Sequence, residues 1–142
     1  MVKILWVDDE IELLKPHVLF LRGKGYEVDT CNNGYDAIDM ASEGAYDLII
    51  LDPPAYGRGA NGEKWILEDN IGEMLDCCAR LLAPAHAFLV LNLYSMGLSS
   101  TLARTAVRQA FGAPRDEEWG ELTFTDRGGK ELPLGTYYRF VR

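Results

Sequence analysis

The stretch Tyr46-Asp47-Leu48-Ile49-Ile50-Leu51-Asp52-Pro53-Pro54 decides how the chain folds. Leu48 to Leu51 is an unbroken apolar run, too short for a helix, bounded on each side by an acid. It reads as a strand buried on both faces, the kind found inside a parallel sheet. Two prolines follow at once. Neither can donate to a strand ladder, so the strand stops at Asp52 and leaves that carboxyl at its C-terminal edge.

Upstream, Val2 to Val7 is a second short apolar run, ending in Asp8-Asp9-Glu10. Leu13, Leu14, Val18 and Leu21 then recur at helical spacing with Phe20 beside them; Pro16 within that pattern predicts a late start or a kink, and Gly23-Lys24-Gly25 an end. Tyr26 to Cys31 alternates like a half-buried edge strand. Asn32 or Asn33 caps a short helix with Ala37, Ile38, Met40 and Ala41 inward and Gly44 at its close.

Downstream, Pro53 to Lys64 reads as a Gly/Pro-rich loop. Leu67, Ile71, Met74, Leu75, Cys78, Leu81 and Leu82 form one face of a long helix stopped by Pro84. Ala87 to Leu93 is another near-continuous apolar strand. Ser99 or Ser100 caps a helix with Leu102, Ala106, Val107, Ala110 and Phe111 inward. Glu121 to Thr125 and Thr136 to Val141 are strands joined across a turn at Asp126 to Lys130.

The order β-α-β-α-β-α-β-α-β-β predicts the α/β class: a three-layer α/β/α sandwich around a mostly parallel six-stranded sheet. The expected strand order is 2-1-3-4-6-5. The last strand arrives without a crossover helix and is expected to run antiparallel. A length of 142 residues suits one domain, residues 1–142.

The composition, 48% apolar and 25% charged, is that of a globular protein. A net charge of −8 argues against a broad basic face, so no nucleic-acid partner is expected. No other partner is indicated. The N-terminus enters a strand pattern directly and no apolar run is long enough to span a bilayer, so no membrane association and a cytoplasmic location are expected. Cys31, Cys77 and Cys78 lack metal-site spacing and read as reduced, packed thiols. Charge is uneven: residues 1–52 hold 11 acids and 4 bases, residues 53–142 hold 11 acids and 10 bases. The first segment uses three Lys and one Arg, the second two Lys and eight Arg.

In a doubly wound sheet, ligands bind at the C-terminal strand ends. Asp8, Asp9 and Asp52 all fall there. Three carboxylates together repel one another unless a cation lies among them, and Mg²⁺ is the natural choice for an all-oxygen site.

Residues 2–52 resemble the receiver domain of two-component response regulators. The resemblance rests on Ile4-Leu5-Trp6-Val7-Asp8-Asp9-Glu10, on Gly25-Tyr26-Glu27-Val28, on Asn33-Gly34-Tyr35-Asp36-Ala37-Ile38 and on Tyr46 to Asp52. It implies a flavodoxin-like fold, Asp52 as phosphoacceptor, and Asp8, Asp9 and Asp52 as the Mg²⁺ site. The family continues with a strand ending in Ser or Thr and another ending in Lys. Here the corresponding strands end near Asn92-Leu93 and at Thr125, and Lys130 falls in the turn.

Residues from about 46 to 142 resemble the C-terminal half of a class I S-adenosylmethionine-dependent methyltransferase, of the kind that modifies RNA. Asp52-Pro53-Pro54-Ala55-Tyr56-Gly57-Arg58-Gly59, the helix ending Leu81-Leu82-Ala83-Pro84 and the strand Phe88-Leu89-Val90-Leu91-Asn92 carry this resemblance. It implies a Rossmann-like fold with Asp52, Pro53, Pro54 and Tyr56 at the edge of a cofactor site. That family binds its cofactor with a Gly-rich turn after the first strand, where this chain has Asp8-Asp9-Glu10, so neither S-adenosylmethionine binding nor enzymatic activity is expected.

Both resemblances share the strand from Tyr46 to Asp52. The expectation is therefore an engineered fold chimera, receiver-like over 1–52 and methyltransferase-like over 53–142, with its seam at that strand. It would test whether flavodoxin-like and Rossmann-like fragments recombine. The alternatives are a Mg²⁺-binding phosphoacceptor module at Asp52 and a working methyltransferase.

Overall fold

The computed structural model describes residues 1–33, 36, 45–59, 61–94 and 97–142. The predicted helix at 37–44 lies outside them. The described elements are β1 (Lys3–Asp8), a 3₁₀ turn (Ile11–Leu14), α1 (Lys15–Gly23), β2 (Glu27–Cys31), β3 (Leu48–Asp52), β4 (Tyr56–Arg58), β5 (Lys64–Ile66), α2 (Leu67–Leu81), β6 (Phe88–Leu93), α3 (Ser100–Phe111), β7 (Asp116–Thr125) and β8 (Glu131–Val141).

The six-stranded sheet has the order β2-β1-β3-β6-β8-β7. Counting only strands of this sheet, that is 2-1-3-4-6-5, as expected. β2, β1, β3 and β6 are parallel, and β8 runs antiparallel between β6 and β7. β3 is central to the mixed fold. Ile49 pairs with Leu5 on one side and Leu89 on the other, and Leu51 pairs with Val7 and Leu91. All six are 0–1% exposed. Burying each such side chain stabilises the fold by about 1.5–3 kcal/mol before chain entropy is subtracted.

The period of two sorts these strands into two faces. Leu5, Val7, Ile49, Leu51, Leu89 and Leu91 pack against α2 and α3. Ile4, Trp6, Leu48 and Ile50 pack with Val18, Leu14 and Leu21 on the α1 side. The N-terminal end of the seam is tied on both sides. Tyr46 is fully buried, its hydroxyl donates to Asp29 Oδ2 at 2.7 Å, and its N–H donates to the Leu81 carbonyl at 3.1 Å. The Lys3 N–H donates to Asp47 Oδ2 at 2.8 Å. The seam is therefore anchored both to β1 and β2 and to the end of α2.

Several expectations need correction. Pro16 sits in the first turn of α1, so residues 11–14 coil as a 3₁₀ turn with Ile11 inward. Leu13, read as part of the helical apolar pattern, is 72% exposed, and Phe20 beside that pattern is 63% exposed. Leu102 also faces outward at 47%; Ala103 and Val107 supply the buried stripe of α3 instead. The segment from Pro53 to Lys64 is not wholly irregular, because β4 and β5 pair across it as a small hairpin. β7 and β8 begin at Asp116 and Glu131, several residues earlier than predicted: the first half of β7 pairs with Tyr137 to Val141, and Glu131 to Gly135 pair with the second half of β7 as an exposed arm.

Other details match the expected chemistry. Ser99 Oγ accepts from the Leu102 N–H at 3.2 Å and caps α3, and Gly112 closes it at φ +80°. All three cysteines are buried and none is in a disulfide; burial pushes the Cys78 thiol up to about 12. α3 is locked to the closing strands by Glu117, whose side chain is 7% exposed. It accepts from Arg104 Nε at 2.9 Å, from Arg108, and from the Tyr138 hydroxyl at 2.7 Å. The hydrogen bond from Arg108 holds its carboxyl down at about 2.

β7 and β8 slip register between Leu122 and Thr123. Gly135 lies beside this irregularity at φ +145°, and a Cβ there would stand 2.8 Å from the Leu93 carbonyl oxygen. Neither conflict can be relieved by a flexible side chain. Gly135→Ala is expected to lower stability by about 1–3 kcal/mol, read as a lower denaturation midpoint at unchanged m-value.

Candidate functional site

β1 and β3 are parallel neighbours, so their C-terminal carboxyls emerge on the same sheet edge. Asp8 and Asp52 stand directly opposite each other in the register. Asp8 is 7% exposed, and its Oδ1 accepts from the Glu10 N–H at 2.8 Å, which also turns the chain away after β1. Burial pushes the Asp8 carboxyl above the ordinary range, and the Glu10 hydrogen bond opposes that shift. Asp52 is pushed up to about 6, first by burial, then by the negative charges of Asp8 and Asp9. Both carboxyls are thus raised, and the two titrate as a coupled pair.

These groups open onto a cleft of about 880 Å³. Asp8, Asp9, Glu10, Asp52, Pro53, Pro54 and Tyr56 line it, together with Leu13, Leu14 and Tyr94, and every charged residue of the lining is acidic. A smaller pocket of about 350 Å³ adjoins it. Asp9, Asn32, Asn33 and Asp36 meet Pro54, Tyr56, Arg58 and Trp65 there. The Asp36 N–H donates to Asn33 Oδ1 at 2.9 Å, the capping contact expected of Asn33.

All three carboxylates expected to hold a metal, those of Asp8, Asp9 and Asp52, line the cleft. Asp8 and Asp52 come together, whereas no group of three His, Cys, Asp or Glu side chains among the described residues could hold a metal ion. Asp9 follows the strand end and faces both cavities. Two carboxylates still suit Mg²⁺, which is commonly held by one or two of them with water completing the shell. The antiparallel β8 occupies the position beside β6, and neither Lys nor Arg lines the cleft. Lys130 lies in the turn of the β7–β8 arm.

The methyltransferase-like residues form a rigid rim. Pro53 is buried, and the Pro54 carbonyl accepts from Trp65 Nε1 at 2.8 Å. The Leu67 N–H donates to the Ala55 carbonyl at 2.9 Å, fixing this loop to the start of α2. Tyr56 stands out at 81% exposed. Leu13, Leu14 and Tyr94 were not foreseen as site residues. Tyr94 directly follows β6, and that position at a C-terminal strand end is the signal that locates it. Leu13 carries no comparable signal.

No family model matches the chain. A stretch of 52 residues is 42% identical to the transcriptional regulatory protein CpxR homolog of Haemophilus influenzae, covering 37% of this chain and 22% of that protein. The transcriptional regulatory protein PcoR of Escherichia coli is 46% identical over 52 residues, 37% of this chain and 23% of that protein. The chain thus spans under a quarter of the length of these regulators. Among solved structures, the S-adenosylmethionine-dependent methyltransferase of Agrobacterium tumefaciens matches 99% of this chain and 56% of its own at a TM-score of 0.76 and 25% identity. A putative methyltransferase from Streptococcus mutans matches 98% of this chain and 44% of its own, at a TM-score of 0.60 and 10% identity, a likeness of fold alone. The chain therefore joins a response-regulator-like part to a methyltransferase-like architecture.

The raised Asp52 has a consequence for stability. The folded chain holds its proton more tightly than the unfolded chain does, so this contribution is fully present below about pH 4 and is lost as pH rises through about 6. Asp52→Asn is expected to be more stable than the parent at pH 7.5 by on the order of 1 kcal/mol, after discounting for solvent access from the cleft. The difference should shrink towards pH 4, as followed by urea unfolding at both pH values.

Proposed function

We propose that the chain is an engineered fold chimera whose role is architectural, a receiver-like fragment (1–52) and a methyltransferase-like fragment (53–142) in one domain, carrying neither parent activity in full. The observation that carries this reading is the double pairing of β3, in unbroken register with β1 on one side and β6 on the other. A strand common to flavodoxin-like and Rossmann-like sheets lets one half end and the other begin without disturbing the core.

The chemistry at the end of β3 supports the same reading. A methyltransferase of this fold needs close backbone approach to its cofactor after β1, and here Asp8, Asp9 and Glu10 occupy that turn. An all-acidic lining also opposes the cofactor's own carboxylate. On the receiver side, a phosphoryl switch needs groups that read the added charge, and among the described residues no cation lines the cleft. Isothermal calorimetry with S-adenosylmethionine is expected to give no heat of binding up to about 1 mM ligand, roughly −4 kcal/mol. Saturable heat below that concentration would overturn the reading.

The juxtaposed Asp8 and Asp52 favour a second reading, a Mg²⁺-binding phosphoacceptor at Asp52. Under it, Mg²⁺ changes the fluorescence of Trp6, which lies on β1 two residues before Asp8, and an acyl phosphate then adds a phosphoryl mass to the chain. Neither response in the parent, or both retained in Asp52→Asn, removes it.

A further inference from the structure

We infer that a pocket of about 330 Å³, between the end of β6 and the β7–β8 arm, is a binding site for a small organic ammonium with a flat apolar body. The inference does not rest on the chimera reading. The pocket is lined by Tyr94, Leu98, Glu121, Pro133, Leu134 and Thr136, with the Gly135 backbone between the last two.

The observation that points to a ligand is Thr136. It is 4% exposed, and its Oγ1 has no hydrogen-bond partner among the described residues. Buried hydroxyls are almost always paired, and one left unpaired costs the free energy of its lost hydration. Thr136 pairs with Leu93 on β6 and with Glu121 on β7. Directly opposite residues in an antiparallel pair project to the same face, so the hydroxyl and the Glu121 carboxylate belong to one wall. A threonine hydroxyl can turn about χ1 to meet a polar group brought into the space that it lines.

The remaining lining sets the ligand class. Glu121 is the one charged residue among the described residues of the lining. The nearby N-terminus of α3 already has Ser99 Oγ on its Leu102 N–H, which leaves the carboxylate to set the sign. Leu98, Pro133 and Leu134 offer apolar contact. Tyr94, 73% exposed, offers a ring face to a cation. The volume lies at the small end of ligand sites, about 300–1,000 Å³. An ammonium placed between Glu121 and the Tyr94 ring, with one N–H donated to the Thr136 hydroxyl on the same wall and a flat body against the leucines and proline, satisfies these groups together. An anion would face an uncompensated carboxylate.

The test is titration of the full chain with 2-phenylethylammonium, followed by ¹H–¹⁵N NMR, beside the neutral isostere 2-phenylethanol. Saturable shifts are expected around Tyr94, Leu98, Glu121 and Leu134 to Thr136, with the ammonium binding about tenfold more tightly than the alcohol. Glu121→Gln, an exposed position that leaves folding intact, is expected to abolish that preference. Thr136→Val is expected to weaken ammonium binding about fivefold to tenfold while the remaining spectrum is unchanged; if that variant fails to fold, Thr136→Ser, which keeps the hydroxyl, is expected to bind like the parent. Equal binding of ammonium and alcohol would overturn the proposal. So would shifts centred on Asp8 and Asp52, no saturation by about 10 mM ligand, or parental affinity in a folded Thr136→Val.

Discussion

The molecule depends on β3 being paired on both edges at once. A strand of five residues has ten backbone polar groups to satisfy in a dry core, and each unpaired group would cost on the order of 1–3 kcal/mol. β1 and β6 satisfy them from opposite sides, in registers that also stack Leu5, Ile49 and Leu89 in one row and Val7, Leu51 and Leu91 in the next. A slip of one residue on either side would turn these side chains to the other face. The two parts of the chain are thus held to one register by a shared row of buried residues.

The same geometry creates the acidic edge. Strands ending together bring Asp8 opposite Asp52 whether or not any chemistry follows. Burial and the neighbouring negative charges of Asp8 and Asp9 push the Asp52 carboxyl up to about 6. On the other side of β6, polar groups are resolved differently. Glu117 is buried yet paired with Arg104, Arg108 and the Tyr138 hydroxyl, so it stays ionised and pins α3 to the closing strands. Thr136, close by, has no such partner.

Much of this architecture is legible in the sequence because buried strands announce themselves. Runs such as Leu48–Leu51 and Phe88–Leu91 have no exposed face, and the antiparallel insertion of β8 follows from the lack of a crossover helix. Periodicity fails where the surface stays apolar. Leu13, Phe20 and Leu102 fit helical faces on paper, yet a 3₁₀ turn before Pro16 and the smaller residues Ala103 and Val107 decide which side faces inward. Asp8 and Asp52 could be placed from strand ends alone. The Asp8 to Glu10 hydrogen bond that turns the chain after β1 could not. The pocket at Thr136 lies beside a register slip in the β7–β8 arm, and Pro133 and Gly135 are the residues that mark that irregularity.

Native-state amide hydrogen exchange on Leu5, Ile49 and Leu89 tests the shared core most directly. If β3 binds both parts into one cooperative unit, these three amides exchange only through global unfolding, with one common free energy equal to that from denaturant melts. If Leu5 and its neighbours on β1 and β2 instead open at a distinctly lower free energy while Ile49 and Leu89 stay protected, the receiver-like part is merely docked on a separate core, and the account is wrong.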